Sequence, residues 1–110
     1  MGSQTADLRF PLAEARAAPF QEGRRSALVF ERGMLELRYY APRGVDPQTP
    51  HTRDELYVIA AGRGTFVREA ERVAFGPGDA LFVAAGIAHH FEDFGDDFGT
   101  WAIFFGVTGA

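Results

Sequence analysis

From residue 27 onward the hydrophobic positions come in short runs with turn residues between them. They read ALVFER, Gly33, MLELRYYA, a turn-rich PRGVDPQTP, LYVIAAG, RGTFVRE, RVAF, GPGD, ALFVAAG, HHFEDF and TWAIFFGV. Runs of four to eight apolar, β-branched or aromatic residues, punctuated by Gly and Pro, predict antiparallel strands in a sandwich or barrel. LYVI, ALFV and WAIFF are apolar at successive positions, which predicts strands covered on both faces. One face fills the barrel; the other meets a second sheet, an N-terminal arm or another subunit. Gly62-Arg63-Gly64 reads as a hairpin turn. Residues 1–26 have a different texture, with Pro11, Pro19 and Gly23 around the helix-compatible piece LAEARA. They are expected to form an arm along the surface or across a partner, ahead of a β domain at 27–110.

Composition narrows the functional classes. A chain of 110 residues with 46% hydrophobic content builds one domain with one modest core. The apolar residues on both faces of LYVI and WAIFF exceed what a small barrel covers, so a homodimer is expected. The absence of cysteine removes disulfides, thiolate metal sites and a cysteine nucleophile, leaving nitrogen and oxygen as the only metal ligands. A formal charge of −4 without a basic cluster argues against nucleic acid as a partner. All 11 basic residues are arginine, read here as compositional bias. No apolar run approaches the roughly 20 residues that span a bilayer, and MGSQTADLRFPL lacks a signal pattern. No membrane partner and a cytoplasmic location are the expectations.

Two stretches carry chemistry. In PHTRDELYVIAAG, His51 and Glu55 are four residues apart, which on a straight strand would separate them by about 13 Å. Ligands of one ion must each lie within about 2 Å of it. A shared site therefore needs a turn at Thr52-Arg53-Asp54, with His51 closing one strand and Glu55 opening the next. On this stretch alone, a loop histidine beside a solvated acidic pair is the simpler reading. In GDALFVAAGIAHHFED, His89 and His90 are consecutive on a strand-like run and so face opposite sides.

The spacing of these stretches resembles that of the cupins. Gly78, five residues, Ala84-Ala85-Gly86, two residues, His89, three residues, Asp93 is similar to the family's second motif, which usually has proline at Ala84 and asparagine at Asp93. Glu55, six residues, Gly62 is similar to the first motif, with His51 where its second histidine belongs. The 15 residues from Gly62 to Gly78 fit a small single-domain member, and the resemblance covers residues 33–105. It implies an all-β double-stranded β-helix, a jelly-roll-like barrel. It also implies a divalent metal, Fe, Mn, Ni or Zn, held at one mouth by His51, Glu55 and His89. The family's first histidine falls at Thr49, a poor ligand, and its preceding glycine at Arg43, one place before Gly44.

Further expectations follow from that placement. Gln48 is a candidate additional ligand if its loop bends inward. His89 faces the interior and His90 the outside. Tyr57 and Phe91, sharing parity with Glu55 and His89, are expected to line the cavity. Asp93 reads as a turn or capping residue, and Glu92-Asp93 with Asp96-Asp97 as a solvated loop. The resemblance implies either a metal-dependent enzyme of dioxygenase or isomerase type, acting on a small organic substrate, or a non-catalytic module that binds a small-molecule ligand. It assigns no catalytic residue.

Overall fold

A computed structural model describes residues 7–20 and 25–106. Parts of the expected arm, residues 1–6 and 21–24, and the terminal residues 107–110 lie outside the described residues. LAEARA forms the short helix α1 (Leu12–Ala17). The strands are β1 (Ser26–Arg32), β2 (Leu35–Tyr40), β3 (Asp54–Ala61), β4 (Gly64–Arg68), β5 (Glu71–Phe75), β6 (Ala80–Val83), β7 (His89–Glu92) and β8 (Gly99–Phe105). They form a five-stranded sheet of order β1-β2-β8-β3-β6 and a three-stranded sheet of order β5-β4-β7. All paired strands run antiparallel. Among the described residues no hydrogen-bonded ladder closes the two sheets into one continuous barrel; they pack as the halves of a jelly roll. No described helix is long and apolar enough to cross a membrane.

The core lies between the sheets. The larger sheet contributes Tyr57, Ile59, Val83, Ala102 and Phe104, and the smaller one Phe66, Phe75 and Phe91, with Phe98 from the approach to β8. Phe91 is at the centre, its ring 4.8 Å from those of Tyr57 and Phe98 and 5.1 Å from Phe66. Burial of this kind contributes roughly 1.5–3 kcal/mol per large side chain.

The expectation that LYVI, ALFV and WAIFF are covered on both faces needs correction. Along β3, Tyr57 and Ile59 are buried while Leu56 and Val58 are half-buried. In β6, Ala80 and Phe82 are exposed, Phe82 at 45%. Side chains alternate across a strand, so only one set meets the interior, and β6 is an edge strand with little over its outer side. At the other end of the outer face, α1 lays Leu12 and Ala15 near Tyr39 and Trp101.

The hairpin expected at Gly62-Arg63-Gly64 is likewise absent. The neighbours of β3 are β8 and β6, and those of β4 are β5 and β7, so these residues carry the chain from one sheet to the other. Two constraints demand glycine at position 62. Its φ is +88°, and a Cβ there would lie 2.6 Å from the Phe98 Cα. Gly44 has a φ of +72° but open space around it. The left-handed backbone alone costs a non-glycine residue about 1–2 kcal/mol. Gly62→Ala should therefore destabilise clearly more than Gly44→Ala, by at least a further 1 kcal/mol or so, visible as about 4–8 °C in the melting temperature for each kcal/mol. Equal melting temperatures for the two variants would show that the Phe98 contact is not limiting.

Candidate metal centre

Residues 41–53 contain only an isolated bridge between Arg43 and Val45 and otherwise form an irregular loop. His51 therefore does not close a strand as expected. Pro42, Pro47 and Pro50 each lack the N–H that a ladder requires, and the loop is held by side chains instead. Asp46, 7% exposed, is the main tether. Its Oδ2 accepts hydrogen bonds from the Phe91 backbone N–H at 2.8 Å and the Gln48 side-chain amide at 2.6 Å. Its Oδ1 accepts from the Tyr40 hydroxyl. The far end is pinned where the Gly86 N–H donates to the His51 carbonyl at 2.7 Å. Gly86 has a φ of +82°, which turns the 84–88 segment toward this loop.

The bend at Thr52 and Arg53 brings His51 back over the start of β3, where Glu55 and Tyr57 share the inward parity. His89 enters from the first position of β7. His51 Nε2 and His89 Nε2 lie 3.2 and 3.3 Å from the same oxygen, Glu55 Oε1. The ligating atoms of the three residues all lie within 4.8 Å of one another. His90, on the opposite face, pairs with Glu92 at 2.6 Å.

The hydrogen-bonding around this trio fits a cation. The Ile87 carbonyl, an acceptor only, is 2.8 Å from His89 Nδ1. That nitrogen carries the proton, so in the neutral ring the Nε2 lone pair faces Glu55. Glu55 Oε1 is buried and accepts no well-directed hydrogen bond, although two ring nitrogens are close. The distances of 3.2 and 3.3 Å are those of an ion-pair contact. Two imidazoles and one carboxylate are a suitable donor set for a divalent transition-metal ion.

Gln48 stands beside the trio. Because its NH2 donates to Asp46, its Oε1 is turned inward, 3.1 Å from His51 Nε2 and 3.0 Å from the Tyr57 hydroxyl, which donates to it. The same hydroxyl is 3.1 Å from His89 Nε2. Thr49 lines the cavity over the site. Tyr57 lines it too, but Phe91 does not. At 1% exposure Phe91 is packed in the core, its ring 4.8 Å from that of Tyr57.

The charges are coupled. Burial acts to raise the Glu55 carboxyl, but the His51 and His89 nitrogens outweigh it and hold the group below the ordinary carboxylate range. Burial acts to lower His89, but Glu55 and the Ile87 carbonyl outweigh it and raise the ring above 6.5. The Tyr57 hydroxyl is pushed well above 10 by burial and by the Glu55 charge, so it remains a donor at neutral pH.

Asp46, Tyr40, Arg38 and Arg25 were not singled out by the sequence reading. Asp46 lies inside PRGVDPQTP, where a carboxylate reads as turn chemistry, and only its burial against β7 reveals its role. The two arginines and Tyr40 line the same cavity as His51 and Glu55, a space of about 380 Å³, which no local spacing announces. Asp93, expected in a turn, has a φ of +57° and accepts from the Thr65 hydroxyl at 3.2 Å.

Comparison with known proteins places this arrangement. The Cupin domain family matches residues 37–101. An uncharacterized protein of Streptomyces coelicolor is 32% identical over 75 residues, covering 67% of this chain and 71% of that one. Among solved structures, a cupin 2 conserved barrel domain protein from Salinispora arenicola superposes with a TM-score of 0.68 at 20% identity, over 88% of this chain and 87% of that chain. The DMSP lyase DddQ of Ruegeria pomeroyi gives a TM-score of 0.67 at 20% identity, over 86% of this chain and 59% of the lyase. At such identities the structural likeness speaks to fold, and the sequence match over more than half the chain speaks to family: the chain belongs to the cupins.

Proposed function

We propose that the protein binds one divalent metal ion, Fe, Mn, Ni or Zn, through His51, Glu55 and His89, with Gln48 Oε1 as a neutral fourth donor, and acts enzymatically on a small organic molecule in the adjoining cavity. The observation that carries this reading is the convergence of two imidazole Nε2 atoms on one buried carboxylate oxygen. A bound ion of this kind supplies Lewis acidity toward a substrate carbonyl, carboxylate or enolate oxygen, or, if it is iron, a route to oxygen chemistry. The chain supplies orientation and proton control. Gln48 is held by Asp46, His89 by the Ile87 carbonyl, and the Tyr57 hydroxyl offers a proton beside both. Phe104 and Ala102 give the cavity an apolar wall.

That a structural neighbour is named as a lyase supports an enzyme on this fold by analogy only. Thr49, at the position of the family's first histidine, supports the second reading, a binding module without turnover. We propose further that the chain forms a homodimer through the outer face of the larger sheet. Leu35, Phe82 and Phe105, exposed by 40%, 45% and 41%, share that face with Leu56 and Ile103 by register.

Metal content after equilibration with Zn2+ or Ni2+ and desalting should be one ion per chain. His51→Ala, Glu55→Ala and His89→Ala should each reduce it to a small fraction, while His90→Ala should leave it unchanged. Loss of metal in His90→Ala equal to that in His89→Ala would contradict the assignment.

The pH dependence has opposite signs with and without metal. In metal-free protein His89 titrates above 6.5. Its pairing with Glu55 is fully stabilising below that value and is lost as pH rises through the raised folded value. Glu55, titrating below its ordinary 4.5, keeps its contribution until pH falls through the depressed value. A metal requires neutral imidazoles, so protons compete with it for the histidines. The rise in melting temperature on adding Zn2+ should therefore be greatest near pH 8 and shrink toward about pH 5.5. In EDTA, His89→Gln should destabilise more at about pH 5.5 than at about pH 8. A Zn2+ effect independent of pH would contradict ligation by histidine.

A further inference from the structure

The donors gathered around Glu55 are evenly divided between nitrogen and oxygen. Nitrogen comes from His51 and His89, and oxygen from Glu55 and from Gln48, whose Oε1 lies 3.1 Å from His51 Nε2. An amide has an oxygen at one corner and an NH2 at the other, and only the oxygen suits a cation. Three contacts decide which corner faces inward. The Gln48 NH2 donates at 2.6 Å to Asp46 Oδ2, an oxygen that also accepts from the Phe91 backbone N–H. The Gln48 backbone N–H is 3.4 Å from Asp46 Oδ1, so one residue holds both main chain and side chain. On the inner side the Tyr57 hydroxyl donates to Gln48 Oε1 at 3.0 Å.

Turning the amide over would set its oxygen against the Asp46 carboxylate, at a residue only 7% exposed. Two acceptors would then meet with no proton between them, which disfavours that arrangement by about tenfold or more. Pro47 and Pro50 bracket Gln48 and Thr49 and fix φ at both ends of the segment. The oxygen is therefore in place before any ion arrives.

The make-up of the donor set bears on which ion is preferred. Imidazole suits Ni2+ and Zn2+, whereas carboxylate and carbonyl oxygens suit Mn2+. Affinity at any one site of this kind still rises from Mn2+ to Ni2+, so the ligands control the size of the gap. Each oxygen in place of an imidazole narrows it.

We infer that Gln48 sets the metal preference of this site. Its amide oxygen, anchored by Asp46, touches the ion and keeps the gap between Ni2+ and Mn2+ about tenfold or more smaller than an imidazole at position 48 would. This deepens the proposed function and rests on it for His51, Glu55 and His89 as ligands. The trio holds the ion; Gln48 biases the choice among ions.

The test uses the full chain near pH 8, unaltered and as Gln48→Ala and Gln48→His, with two readouts. The first is the number of waters on bound Mn2+, counted by pulsed electron paramagnetic resonance in isotopically labelled water. Gln48→Ala should carry one water more than the unaltered chain, because solvent takes the position the amide leaves. The second is the pair of dissociation constants for Mn2+ and Ni2+, measured by competition with a chromophoric chelator. Their ratio should widen about tenfold or more in Gln48→His, mainly through tighter Ni2+. An unchanged water count in Gln48→Ala would overturn the inference, since Gln48 would then not touch the ion. A ratio in Gln48→His within about threefold of the unaltered one would overturn it as well. Should Gln48→His not fold, the water count in Gln48→Ala decides. If the unaltered chain binds neither ion, the trio is misassigned and the inference falls with it. If the chain binds Mn2+ and loses it in His89→Ala while both Gln48 variants behave as the unaltered chain does, the inference alone falls.

Discussion

A carboxylate that is 1% exposed sets the terms for this end of the molecule. Glu55 is placed inside by strand parity, on the same face as Tyr57 and Ile59. Removing a charge from water costs several kcal/mol unless positive partners or hydrogen bonds compensate. Neither neighbouring strand supplies them, since Val83 and Phe104 stand opposite Glu55 in β6 and β8. Compensation comes from outside the sheet, from His51 on the 41–53 loop and His89 at the start of β7. The three segments are held in one place by the need to neutralise one oxygen, and that same need makes the place receptive to a cation.

The loop that delivers His51 has almost no ladder of its own, so its precision derives from Asp46. One buried carboxylate accepts from β7, from Tyr40 on β2 and from Gln48 in its own loop. In doing so it ties both sheets to the loop and fixes which end of the Gln48 amide faces inward. Asp46 is a positioning residue, reaching the proposed metal site only through its hold on Gln48. It links the packing of the fold to the chemistry of the site, because the backbone N–H it accepts belongs to Phe91, the ring at the centre of the core.

Much of this was legible in the residues. Alternating runs and glycine punctuation marked the strands, and the spacing of His51, Glu55, Gly62, Gly78, Gly86 and His89 indicated the cupin barrel. Parity distinguished His89 from His90, whose ring turns outward to Glu92. What was misread depends on long-range partners. Gly62-Arg63 looks like any tight turn, and only its approach to Phe98 shows that it joins two sheets. Phe91 has the parity of a wall residue, but its ring is buried in the core cluster and does not line the cavity. ALFV is as apolar as a buried strand, yet topology leaves it at an edge. The arginines of the cavity come from β2 and the approach to β1, far in sequence from the histidines. Their meeting follows from strand order, which composition does not encode.

The central claim is that His51 and His89 ligate one ion together, and the most direct measurement is pulsed electron paramagnetic resonance of the chain loaded with one equivalent of Cu2+ near pH 8. The remote nitrogen of each coordinated imidazole modulates the electron spin echo, so the number of ligated rings can be counted. The account predicts two imidazoles in the unaltered protein, one in each of His51→Ala and His89→Ala wherever copper is retained, and two in His90→Ala. A spectrum with no imidazole modulation, or one unchanged by removing His89, would contradict it.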